Sequence, residues 1–127
     1  MDYSFSKALR LSKKSDIDLL FSEGKRIRGT SFTLLYGRIK TIETPFKVLI
    51  SVPKRNMKKA AERNYIKRCI REVLRSNKEI LQPEDPQGNT VIHIAIIYNL
   101  KIKLEYSKIE EHLLEALHKI PKTHDKT

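Results

Sequence analysis

Between Lys54 and Lys78 the chain sets lysines and arginines at a spacing that can grip phosphate. The segment 53–78 holds ten basic side chains, Lys54, Arg55, Lys58, Lys59, Arg63, Lys67, Arg68, Arg71, Arg75 and Lys78, against only Glu62 and Glu72. It therefore carries +8 of a total formal charge of +11, and the other 101 residues carry +3. Arginine offers a planar fork that fits two phosphate oxygens, and lysine offers a point charge. A mixed basic face thus holds a polyanionic backbone without reading a sequence. Charge gathered in one segment argues for a docking site rather than an evenly solubilised surface. A pI near 9.8 makes nucleic acid and an anionic membrane surface the two classes of partner to weigh. Asn64 lies among these cations, where an amide can hydrogen-bond a base edge or a 2′-hydroxyl. It can equally be an ordinary helix-surface amide.

Other chemistry finds no support in the residues. Cys69 and the histidines His93, His112, His118 and His124 show no zinc spacing, and no two histidines stand four apart on a helix. Four glycines leave little room for a phosphate-binding loop. The carboxylates are scattered, without the clustering a two-metal nuclease needs. His93, within an apolar strand, reads as a satisfied core residue. Cys69 lies near cations that could lower a thiol pKa, but it has no partner triad and reads as an ordinary cysteine. We expect no catalytic residue, no metal site and no bound cofactor in the chain itself.

These side chains need a frame to present them. A chain of 127 residues is one domain's worth, and we expect a single domain over 1–127 with a core from about 9 to 120 and short tails. Ser15 suits the N-cap of a first helix through DIDLLF, stopped by Gly24. SFTLLYGRI (31–39) and PFKVLISV (45–52) read as strands. IKTIET looks like a hairpin connection between them, and GKRIRG can add a short edge strand before them. Residues 58–76 form the second helix, with Ile66, Ile70, Val73 and Leu74 on one face and Asn64, Lys67, Arg68, Arg71 and Arg75 on the other. Arg63 falls near the flank of the apolar stripe, and the helical period gives it no role. QPEDPQGN (82–89) is a loop. TVIHIAIIYN is a strand apolar enough to be buried on both faces. EYSKIEEHLLEALHKI is a third helix with Ile109, Leu113, Ala116, Leu117 and Ile120 inward, ended by Pro121.

The order helix, strands, helix, strand, helix is an α/β layer arrangement with one βαβ unit through the basic helix. The N-terminus lacks a signal-peptide core, and VIHIAIIYNL is too short to span a bilayer. A lone cysteine fits a reducing compartment, so a cytoplasmic protein is expected. The basic helix also lacks the bulky aromatic face that binding at a membrane surface favours.

The stretch SVPKRNMKKAAERNYIKRCIRE resembles the signature of the protein subunit of bacterial ribonuclease P. The family pattern is a strand end, two basic residues and an Arg-Asn-x-x-Lys-Arg-x-x-Arg-Glu helix. Here these are Ser51-Val52, Lys54-Arg55, and Arg63, Asn64, Lys67, Arg68, Arg71 and Glu72. LSKKSDIDLLFSEGKRI, SFTLLY and EYSKIEEHLLEAL are similar to the family's first helix, next strand and last helix, so the likeness runs over about 9–120. It implies an α+β (α/β sandwich) domain in the order α-β-β-(β)-α-β-α, like the second domain of ribosomal protein S5. A left-handed βαβ crossover is implied as well, against the usual right-handed rule.

The likeness further implies a protein cofactor of a catalytic RNA that removes the 5′ leader from precursor tRNA, with Mg2+ held by the RNA subunit. It implies RNA binding by Lys54, Arg55, Lys59, Arg63, Asn64, Lys67, Arg68, Arg71 and Arg75. It also implies a leader cleft with Ile17, Phe21, Phe32, Leu35 and Tyr36 as candidates, in a bacterial cytoplasm. Ile17 and Leu35 stand where the family usually or often shows an aromatic. Phe21 suits leader contact and core packing about equally. Strand alternation puts Phe32, Leu34 and Tyr36 on one face and Thr33 and Leu35 on the other, and one of these faces must pack the core. No obligate protein partner is evident. A structural RNA-binding protein of ribosomal type, with no processing role, is the alternative reading. A ribonuclease acting without RNA is disfavoured for want of an acid, base or metal set.

Overall fold

The computed structural model describes residues 9–40, 46–80 and 90–121. It contains α1 (Lys14–Glu23), β1 (Lys25–Arg28), β2 (Phe32–Lys40), β3 (Phe46–Ser51), α2 (Ala60–Ser76), β4 (Thr90–Tyr98) and α3 (Tyr106–Leu117). A short 3-10 turn at Lys78–Ile80 follows α2. The four strands form one sheet in the order β1-β2-β4-β3, giving a mixed α+β domain.

The central position of β4 follows from its composition. Val91, Ile92, His93, Ile94, Ala95 and Ile96 are all buried, so both faces of the strand need cover and both edges need partners. β2 supplies one edge in antiparallel register, Phe32 opposite Tyr98 and Tyr36 opposite Ile94. β3 supplies the other in parallel register, Phe46 opposite Ile92 and Ile50 opposite Ile96. This corrects the expected hairpin: β2 and β3 do not pair, because β4 lies between them. Most of the segment that was to form the hairpin connection, and the 82–89 loop, lie outside the described residues. The GKRIRG strand is present as β1, paired antiparallel with β2.

One sheet face carries Phe32, Leu34, Tyr36, Phe46, Val48, Ile92, Ile94, Ile96 and Tyr98. Against it pack Ile66, Cys69, Ile70, Val73 and Leu74 of α2 and Ile109, Leu113, Ala116 and Leu117 of α3. The helical periods read from sequence are met at these positions. Ile120 lies past the end of α3, in the turn that follows, and still packs on the core. Phe32 and Tyr98 meet edge to face, their centroids 5.4 Å apart. On the opposite face, among the described residues, a smaller cluster of Leu11, Leu20, Leu35 and Ala95 packs beneath α1 and the segment that precedes it.

Two helix starts differ from expectation. Lys13, not Ser15, is the N-cap of α1, and its side chain makes no capping bond. α2 begins at Ala60 rather than residue 58, with Lys59 as N-cap. Gly24 ends α1 as expected, for a steric reason. Its φ is −70°, which any residue can adopt, but a Cβ there would come within 2.4 Å of the Leu20 carbonyl oxygen and 3.1 Å of that of Tyr36.

Candidate nucleic-acid interface

The directions of the strands gather the basic segments at one end of the sheet. β1, β3 and β4 run parallel to one another, since β1 and β4 each pair antiparallel with β2 and β3 pairs parallel with β4. Their carboxyl ends therefore share one edge of the molecule. Arg28 ends β1 there, and Lys54, Arg55, Lys58 and Lys59 follow β3 there, all of them exposed. α2 starts from the same end.

On α2 the helical period sets Lys67, Arg71, Asn64, Arg75 and Arg68 on one flank and turns Tyr65 and Glu72 to the other. Asn64, Arg68 and Arg75 are exposed, and Lys67 and Arg71 are half-buried. The buried side of the helix fixes its backbone on the core, so this flank is turned outward. Among the described residues the ion pairs are Lys14–Asp18, Arg75–Glu72 and Lys108–Glu111. On the basic flank only Arg75 thus has a carboxylate partner among the described residues. Its Nε donates to Glu72 Oε1 at 3.1 Å, and Nη2 donates to Oε2. Partial burial, followed by the charges of Arg10 and Arg68, draws the Arg71 guanidinium below its usual pKa.

Arg63 departs from the set. Its Nη1 donates to the carbonyl oxygens of Met57 at 3.0 Å and Lys58 at 2.9 Å. The side chain folds back on its own N-terminal turn and holds the segment carrying Lys58 and Lys59. Its position near the apolar stripe, unexplained by period, has this positional cause.

The five candidates for a leader cleft are divided between the two sheet faces. Phe32 is fully buried and Tyr36 nearly so, both in the core beneath α2 and α3, so neither ring is free to stack on a base. That corrects their placement in the cleft. Leu35 is on the other face but is only 2 % exposed, sealed under α1. Ile17 is half-buried on α1, and Phe21 stands 48 % exposed beside it. The surface along this flank of α1 is completed by Leu49 and Ile97, half-buried and packed on the same cluster as Ile17. Arg26 and Arg28 share this face, opposite Leu35 and Thr33, and are exposed.

Composition did not single out Arg10, Arg26, Arg28, Leu49 or Ile97. Strand alternation read through the β1–β2 register would have placed the two β1 arginines. Arg10 needed the bridge of residue 10 to Val48 on the outer edge of β3, which brings it beside Arg71. On the other flank of α1 a concavity of about 340 Å³ is lined by Asp16, Glu23, Lys25, Arg38 and His93 among others. Its two carboxylates suit it poorly to phosphate.

His93 is buried, as expected, but it is not satisfied: Nδ1 has no hydrogen-bond partner. Burial holds its pKa below the usual imidazole value, with Asp16 opposing and Lys47 assisting. Among the described residues no group of three or more His, Cys, Asp or Glu side chains could hold a metal ion, and no helix is long and apolar enough to cross a membrane.

The family model Ribonuclease P matches residues 5–121. The ribonuclease P protein component of Thermotoga maritima is 31% identical over 125 residues, covering 94% of this chain and 98% of that one. That of Chlorobaculum tepidum is 31% identical over 127 residues, covering 88% and 82%. Among solved structures, the RNase P protein of Staphylococcus aureus superposes with a TM-score of 0.70 at 25% identity, covering 88% of this chain and 94% of that one. That of Thermotoga maritima gives 0.69 at 29% identity, covering 88% and 97%. The chain belongs to the ribonuclease P protein family.

Proposed function

We propose that this chain is the protein cofactor of a bacterial ribonuclease P, binding the catalytic RNA subunit through α2 and the 5′ leader of precursor tRNA along the exposed flank of α1. Membership of the family supports a role in 5′ maturation of tRNA. The observation that carries the finer reading is the α2 flank. Lys67, Arg68 and Arg71 have no carboxylate partner among the described residues, and Ile66, Ile70, Val73 and Leu74 anchor the helix beneath them. Such cations favour a polyphosphate backbone over any particular base sequence. Lys54, Arg55 and Lys59 extend it at the end of β3, and Asn64 supplies a neutral donor and acceptor within it.

For the leader, Ile17, Phe21, Leu49 and Ile97 offer an apolar strip, and Arg26 and Arg28 line it. A single strand favours this combination, each stacked base contributing about 1–3 kcal/mol. Phe21 is the one aromatic of the strip exposed enough to stack. The chain binds no cofactor of its own in this reading. Mg2+ sits on the RNA, where the chemistry occurs, in the cytoplasm of a bacterium.

Reconstitution tests the proposal. The protein alone should leave precursor tRNA uncut, and with a ribonuclease P RNA it should lower the Mg2+ concentration needed for cleavage. Cutting by the protein without RNA would overturn the cofactor role. Failure to stimulate the RNA would favour a structural RNA-binding protein of ribosomal type.

A further inference from the structure

The concavity on the flank of α1 away from the apolar strip sets two unpaired carboxylates over a polar group that nothing in the protein satisfies. Gly37 and His93 are partners across β2 and β4 and form part of its floor. Gly37 leaves the space between sheet and helix unfilled, and a Cβ there would meet only Leu20 Cδ1, at 3.7 Å. His93 is 4 % exposed, lines the concavity and has no hydrogen-bond partner at Nδ1. Burial keeps the imidazole neutral, so one ring nitrogen is available as an acceptor. α1 forms the wall. Asp16 and Glu23 line it two turns apart on one side of the helix, with their Cα atoms about 10.5 Å apart along its axis. Leu19 and Leu20 lie between them, and Ile39 of β2 lines the floor. Neither carboxylate has an ion-pair partner among the described residues. The cations at the rim are turned elsewhere. Arg38 lies over the Tyr36 ring and donates from Nη2 to Pro121 O, on the side of the sheet that faces α3. Lys25, opposite Tyr36 in the β1–β2 register, shares that side by alternation.

We infer that this concavity binds a linear aliphatic polyamine. The terminal ammonium groups pair with Asp16 and Glu23, the methylenes lie on Leu19, Leu20 and Ile39, and an inner amine donates to the His93 imidazole. The arrangement of charge selects this occupant. Carboxylates two turns apart cannot share one metal ion, and among the described residues no group of three or more ligating side chains could hold one. An anion would face both carboxylates. A neutral apolar molecule would cover the carboxylates and the imidazole without pairing them, which is costly. An elongated cation with an apolar middle satisfies all three groups at once. A volume of about 340 Å³ is that of a small-ligand site. The net charge of +11 repels cations at long range, so binding depends on these short contacts and on the length of the ligand. The site lies on the other flank of α1 from the proposed leader strip and does not depend on that reading.

The test titrates the full-length chain, without RNA, with spermidine, by calorimetry and by thermal denaturation at constant ionic strength. Binding should saturate at one molecule per chain, and the melting temperature should rise with the logarithm of the free spermidine concentration. 1,3-Diaminopropane, too short to reach both carboxylates, should bind about fivefold more weakly, as loss of one ion pair does. Asp16→Asn and Glu23→Gln should each weaken spermidine binding about threefold to fivefold. Both should unfold in urea as the wild type does when no ligand is present. Gly37→Ala puts a methyl group into the floor at ordinary contact with Leu20 and should weaken binding with both carboxylates intact. Absence of saturable binding would overturn the inference. So would variants that bind spermidine as tightly as the wild type, or an equal rise in melting temperature from MgCl2 at matched ionic strength. A lysine-rich peptide that bound more tightly than spermidine, and was weakened by the same variants, would overturn it in favour of a basic protein segment. With no RNA present, none of these outcomes bears on the proposed function.

Discussion

Replacing Arg63 by alanine separates a residue that holds the protein together from one that holds RNA. One guanidinium nitrogen serves both the Met57 and the Lys58 carbonyl, at 3.0 and 2.9 Å. A hydrogen bond from a charged donor nets about 1.5–3 kcal/mol, and more is lost when the abandoned acceptor is buried. Met57 is buried and Lys58 is exposed, so one carbonyl can turn to water more readily than the other. We expect a loss of about 2 kcal/mol, the value of one such bond rather than two. For a domain of this length that lowers the melting temperature by about 6–10 °C. The assay pairs thermal and urea denaturation with RNA-subunit binding over a range of salt. Arg63→Ala should unfold earlier and keep the wild-type salt slope when binding is measured well below its melting temperature. Arg63→Lys keeps the charge on a shorter side chain, whose nitrogen falls short of the position of Nη1, and should regain less than half of the stability. Wild-type stability together with a slope reduced by about 0.7–0.9, the signature of one lost phosphate contact, would refute the reasoning.

Arg68→Ala combined with Arg71→Ala should do the reverse. Circular dichroism and melting should stay close to wild type, while the salt slope for RNA-subunit binding falls by about 1.4–1.8; an unchanged slope would exclude both as phosphate contacts. Gly24→Ala drives a Cβ into the Leu20 and Tyr36 carbonyl oxygens. It should cost about 1–3 kcal/mol by urea denaturation, as overpacking does, and native stability would refute the steric account. His93 is held neutral by burial, its folded-state pKa below the unfolded value. Its stabilising contribution is full above about pH 6.5 and declines as pH falls below that value, because the unfolded chain then takes up the proton first. The midpoint of urea denaturation should therefore drop less between pH 7.5 and 5.5 in His93→Leu than in wild type, and an equal drop in both would refute the assignment.

Periodicity carried much of the architecture. Ile66, Ile70, Val73 and Leu74 repeat at the helical period and are buried where that period puts them. The unbroken apolar run of β4 required cover on both faces and received it. The basic flank of α2 was plain for the same reason, since charges spaced three and four apart must share a side. A period fixes which residues of an element share a face, and it says nothing of which neighbour that face meets. So Phe32 and Tyr36 could be set apart from Leu35 by alternation alone, but only the packing of α2 and α3 on one side and α1 on the other made the first pair core. The order β2-β4-β3, the place of Arg10 beside Arg71 and the hold of Arg63 on two carbonyls all depend on contacts made in space. Those contacts form because the two-sided β4 takes the centre of the sheet. Local composition made this chain basic and layered, and long-range strand pairing decided which of its side chains were left facing outward.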